Sequence, residues 1–179
     1  MKKVLFLVLF INLGMFFVEV ISGFISHSNA LLADSLDMLG DAFVYGISIA
    51  VLFKHPSVRA KASLVKGITM LLLGLFVVGE SIFKIFNPVI PIAETITIIG
   101  LLALLANAVS FILLLKHKAK DLNVRSAWIC SRNDVIGNIG VIIAGLLVAR
   151  FNSMWPDVVV GLIIAFIVIQ SSFQIIGES

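Results

Sequence analysis

Apolar residues dominate the chain in long uninterrupted stretches rather than in short alternating or heptad patterns. Six such runs can be read, at about residues 4–24, 30–53, 64–86, 92–115, 127–151 and 158–176. A helix needs about 20 mostly apolar residues to cross roughly 30 Å of hydrocarbon, and each run meets that length. The segments between them are short: "HSN", "KHPSVRAKAS", "NPVIP", "KHKAKDLNVR" and "NSMWP". None is long enough to form a separate domain. The pattern therefore predicts an all-α membrane protein of six transmembrane helices. The opening "MKKVLFLVLFIN" imitates a secretory signal peptide, but its apolar stretch runs past signal length and no small-residue cleavage pattern follows. It is read as the first span.

Composition strengthens this picture. The 179 residues are 60% hydrophobic and 13% charged, with a mean hydropathy of +1.16. Soluble domains average about 45–50% apolar and about 25% charged, so lipid is the expected solvent. Cys130 is the single cysteine and excludes an intramolecular disulfide. The net charge of +3 lies in short clusters between apolar runs, which offers nothing to nucleic acid. Lys2, Lys3, Lys54, Arg59, Lys61, Lys66, Lys116, Lys118, Lys120 and Arg125 fall on one side of the spans, while Lys84 and Arg150 edge the other. By the positive-inside rule both termini are expected in the cytoplasm.

Six of the ten acidic residues fall inside or near the ends of apolar runs: Glu19, Asp34, Asp37, Asp41, Glu80 and Asp134. A charge at the bilayer centre costs at least about 2.5 kcal/mol, so such groups face a protein interior or water and mark function. Asp37 and Asp41 are four apart in the second run and share one helix face, with Asp34 on the same general side. A cation or shared proton between them would relieve their repulsion. The alternative is that one or two of them are protonated and bond to neighbouring helices. Cys130 and Asp134 form a second pair, again four apart, in the fifth run. At 1.5 Å per residue Asp41 and Asp134 come to nearly one depth, about mid-membrane. Two such pairs on adjacent helices would offer four oxygen or sulfur ligands, the number zinc-like ions take.

These residues resemble those of the cation diffusion facilitators, a family of proton-coupled divalent metal transporters, over essentially the whole chain. The stretch "NLGMFFVEVISGFISHSNALLADSLDMLGDA", with Asn12, Glu19 and Asp34, is similar to the first two helices of that family. The resemblance implies a transport site from Asp37 and Asp41 in the second helix and Cys130 and Asp134 in the fifth. It implies accessory polar roles for Asn12, Glu19, Asp34 and Glu80. It also implies metal export in exchange for protons, a homodimer through membrane helices and a bacterial inner-membrane location. Two departures stand out. No histidine occupies either pair, so one thiolate among carboxylates leans toward zinc or cadmium, with manganese, iron and cobalt as further candidates. The chain also stops soon after the sixth span, so residues 1–179 are expected to form one transmembrane domain without the cytoplasmic domain usual in the family. An enzyme is not expected, because no span carries a nucleophile–base pair or the HExxH pattern. The competing readings are a cation channel and a membrane-embedded metal sensor or scaffold.

Overall fold

The computed structural model describes the backbone of residues 2–51, 56–115 and 122–177, and the side chains of 3–46, 49, 61, 64–115 and 134–177. Six helices occupy the described residues: α1 (Lys2–Ser26), α2 (Asn29–Val51), α3 (Pro56–Phe86), α4 (Ala93–Leu115), α5 (Leu122–Phe151) and α6 (Trp155–Gly177). Strands are absent among them. The protein is an integral, multi-pass membrane protein.

Helices α1 and α4 are inside-out relative to soluble ones. On α1 the buried positions Asn12, Glu19 and Ser26 recur every seven residues, while Phe6, Phe10, Phe17 and Ile21 face outward. The buried face of α4 is Ile96, Gly100, Ala103, Asn107, Ser110 and Leu114, again spaced by three or four and mostly small or polar. Lipid is as apolar as leucine, so large side chains lose nothing by facing it and small residues let helices approach. At Gly145 on α5 a β-carbon would sit 2.5 Å from the Thr97 hydroxyl oxygen of α4. That glycine therefore serves packing inside the bundle.

Five of the six helices are long and apolar enough to cross a membrane by composition. The exception is α2, whose three aspartates lower its apolarity. Its 23 residues still extend about 34 Å, enough to cross. It touches every other helix, and residues 28–36 are buried without a break. The central helix can carry acids because protein, not lipid, surrounds it.

Two helices start earlier than the apolar runs predict. Pro56 opens α3 and Leu122 opens α5, so part of each expected connection is helical. Proline at a first helical position lacks an N–H that would be unpaired there, and the residues after it contain no breaker. Helix α3 has 31 residues and is about 46 Å long, more than the hydrocarbon thickness.

The α1–α2 turn is tight. His27 adopts a left-handed φ of 54°. The Ser28 amide donates to the Gly23 carbonyl at 2.9 Å, closing α1. The Ser28 hydroxyl then accepts from the Leu31 amide at 3.1 Å and caps α2.

Candidate functional site

A cavity of about 600 Å³ opens between α2, α3, α5 and α6. Its charged lining is Asp37, Asp41, Lys66 and Asp134, with the Ser171 hydroxyl nearer the mouth, and its remaining wall is largely isoleucine and valine from α5 and α6. The lining runs from Asp37 and Val160, deep in the bundle, to Lys66 and Ile175 near the end where the chain begins and stops. Asp37 and Asp41 reach the same wall because α2 brings residues four apart to one face.

Asp41 is nearly enclosed, with 6% of its surface exposed. Its Oδ2 accepts a hydrogen bond from the Tyr45 hydroxyl at 2.8 Å. Asp134 shares the same cavity wall from across the α2–α5 contact. Asp134 Oδ2 is buried without a hydrogen-bond partner among the described residues. A buried carboxylate oxygen left unmatched is costly unless something else, such as a cation, answers it. Cys130 stands one turn before Asp134 on α5, and its side chain lies outside the described residues. Among the described residues, no three His, Cys, Asp or Glu side chains stand close enough to hold an ion as they are.

The other acids and amides singled out by sequence go elsewhere. Asp34 turns toward α5, with Oδ1 3.9 Å from where a Gly137 β-carbon would be, and it does not line the cavity. Glu19 is fully buried, and neither carboxylate oxygen has a partner among the described residues. Asn12 donates to the Val8 carbonyl at 2.9 Å, while its Oδ1 has no partner among the described residues. With Asn107, Ser110 and Asn138 these groups give the bundle a polar interior beyond the cavity. Glu80 on α3 is partly exposed and lies outside the cavity wall.

Two residues that look like loop-edge charges are instead a buried hub. Lys84 Nζ lies 2.9 Å from Asp157 Oδ2, and both side chains are nearly inaccessible. Asp157 also accepts from the Ser28 hydroxyl at 2.6 Å and from the Asn29 and Ala30 amides at 2.8 and 3.2 Å. Lys84 donates as well to the His27 carbonyl. A carboxylate from α6 thus answers the open N–H groups and positive dipole end of α2, and a lysine from α3 balances its charge. The signal was present in the sequence. "HSNALLAD" starts a helix without an acid in its first turn, and Lys84 is an isolated cation on a side with few charges. At Gly161 on α6 a β-carbon would meet the Asn29 carbonyl carbon at 2.7 Å, so the clasp needs a glycine there. The clasp lies at the end of the bundle opposite the mouth of the cavity.

Residues 5–179 match the cation efflux transmembrane domain family. The chain is 26% identical over 192 residues to the cadmium, cobalt and zinc/H(+)-K(+) antiporter of Bacillus subtilis strain 168, covering 99% of this chain and 62% of that protein. It is 30% identical over 184 residues to the zinc transporter ZitB of Escherichia coli K12, covering 94% of this chain and 58% of the relative. It is 23% identical over 174 residues to the metal cation efflux system protein CzcD of Cupriavidus metallidurans, covering 90% and 55%. The chain thus spans about three fifths of the length of these relatives. With six packed helices and buried acids on the second and fifth, the chain belongs to the cation efflux transmembrane domain family.

Proposed function

We propose that the protein moves divalent transition-metal ions across the membrane in exchange for protons, with zinc or cadmium as the preferred cargo. The observation that carries this reading is the meeting of Asp37, Asp41 and Asp134 on one cavity inside the bundle. Cys130, one turn from Asp134, supplies the fourth ligand. Relatives named as zinc or as cadmium, cobalt and zinc transporters support the choice of metal.

The cycle follows from the chemistry of the ligands. Carboxylates and a thiol must be deprotonated to bind a metal ion, so loading releases protons. Rearrangement of the helices then exposes the site on the other side, as alternating access requires. Protons arriving there compete for the same oxygens and displace the ion. The basic residues at their end of the spans support a cytoplasmic position for both termini. The cavity mouth is at that end, so this conformation receives metal from the cytoplasm. Export then requires the clasped end, around Asp157, to open. Two copies are expected to pair through their membrane helices, which crosslinking in native membranes would detect.

The test is flux in proteoliposomes with an imposed pH gradient, using Zn²⁺, Cd²⁺, Mn²⁺, Fe²⁺ and Co²⁺, with wild type beside Asp134→Ala. Saturable flux that follows the pH gradient and disappears in Asp134→Ala is the expected result. Non-saturating, proton-independent flux would identify a channel. Metal binding without flux would identify a sensor or scaffold.

A further inference from the structure

Lys66 falls near the start of the third apolar run, where a lysine ordinarily extends its stem and reaches the headgroups. The structure turns it the other way. At this height the outward face of α3 is Leu64, Val65 and Ile68, all exposed, whereas Lys66 is partly buried and lines the cavity with Asp37, Asp41 and Asp134. The α2–α3 register fixes this placement. A β-carbon at Gly40 would sit 2.7 Å from Met70 Cε, so Met70 packs where Gly40 leaves room. Lys66 is one helical turn before Met70 on the same face. Because α3 runs antiparallel to α2, Lys66 comes level with the turn of α2 that follows Gly40, which presents Asp41 and Val44 to the same cavity. Its ammonium acts electrostatically on both Asp37 and Asp41.

We propose that Lys66 is a tethered counter-cation of this cavity, which pairs with the carboxylates of Asp37 and Asp41 in the empty molecule and yields them to a divalent metal ion during loading. The inference rests on the reading of these aspartates as cargo ligands. Its flexible four-carbon stem lets the ammonium withdraw along the wall without leaving the cavity. Opposite charges attract strongly in a low-dielectric interior, so the ammonium competes with the metal for the carboxylates. It also sets the charge of the loaded state. Three ionised carboxylates, the Cys130 thiolate, one ammonium and one divalent ion together carry a single negative charge, where the same set without Lys66 would carry two. A buried net charge is costly to carry through a membrane, so Lys66 lowers the cost of moving the loaded site.

The experiment measures Cd²⁺ binding to the purified full chain by calorimetry at fixed pH and salt, for wild type, Lys66→Met, Lys66→Arg and Asp134→Ala. Lys66→Met preserves length and removes the charge. It is expected to bind Cd²⁺ at least about tenfold more tightly, because a competing positive charge has gone. In vesicles its apparent KM for Cd²⁺ should fall together with kcat, since tight loading now leaves the cavity more negative by one charge. Lys66→Arg keeps the charge and should stay close to wild type in both measurements. A structural role alone would not tighten binding. Unchanged or weaker binding by Lys66→Met, with binding lost in Asp134→Ala, overturns the role of Lys66 and leaves the cargo site standing. Wild-type affinity in Asp134→Ala, or no binding by wild type, overturns the cargo-site reading and this inference with it.

Discussion

At Asp41 the environment is divided between a donor and an acid. Tyr45, one turn on, gives its hydroxyl proton to Oδ2 at 2.8 Å, and Asp134 faces the carboxyl group from α5. Tyr45→Phe keeps the ring, which is 1% exposed, and deletes one hydrogen bond. It should destabilise the protein by about 1 kcal/mol, the usual net worth of one such bond, and thermal unfolding in detergent would show it. Asp41→Ala should abolish metal flux while the protein still elutes as a folded species. Survival of flux would remove Asp41 from the site. For Cys130 the expected outcome concerns selectivity. Cys130→His should shift transport toward zinc over cadmium, because imidazole is a harder ligand than thiolate. Unchanged selectivity in competition assays would place the thiol outside the ligand set.

Among the helices, the clasp around Asp157 decides how α2 is seated. Its carboxylate receives two amides and a hydroxyl from the start of α2 and an ammonium from α3. Removing one partner of a buried ion pair leaves an uncompensated charge, which costs about 3–5 kcal/mol. Asp157→Ala should therefore lower the melting temperature more than Lys84→Met, since the carboxylate retains three other donors when the lysine goes. The double variant Lys84→Met with Asp157→Ala should be more stable than Asp157→Ala alone, and additive losses would show that the two do not act as a pair. Gly161→Ala tests the contact beneath. Its methyl group would force α6 off the Asn29 backbone, an overpacking strain of about 1–3 kcal/mol, readable by the same unfolding measurement.

For the molecule as a whole, one end is pinned and the other is open. His27, Ser28, Lys84 and Asp157 close the end opposite the termini, and the Ile92 amide ties the α3–α4 segment to the Ser26 carbonyl at 3.0 Å. Towards the termini the cavity wall reaches Lys66, Ser171 and Ile175. A cysteine placed at Ser171, in a Cys130→Ser background, should react with a membrane-impermeant maleimide in inverted vesicles and be protected in right-side-out ones. A cysteine at Ser28, which is fully buried, should resist the reagent from both sides. Reaction of Ser171→Cys from the outer side alone would reverse the orientation proposed here.

Much of this was legible without coordinates, because the bilayer imposes one-dimensional rules. Run length alone determined six helices, and buried charge alone marked α2 and α5. Residues four apart share a face on any helix, so the pairing of Asp37 with Asp41 needed no fold. What spacing does not contain is rotation and neighbourhood. Asp34 lies three residues from Asp37, yet it turns to Gly137 and leaves the cavity, because the orientation of α2 is set by its contacts with five other helices. Lys66 and Lys84 read equally as interfacial cations; the packing of Met70 against Gly40 takes one into the cavity, and the open amides of α2 draw the other into a buried pair. Asp157 lies about 130 positions from the amides that it caps, and only the closed bundle brings such distant groups within hydrogen-bonding range.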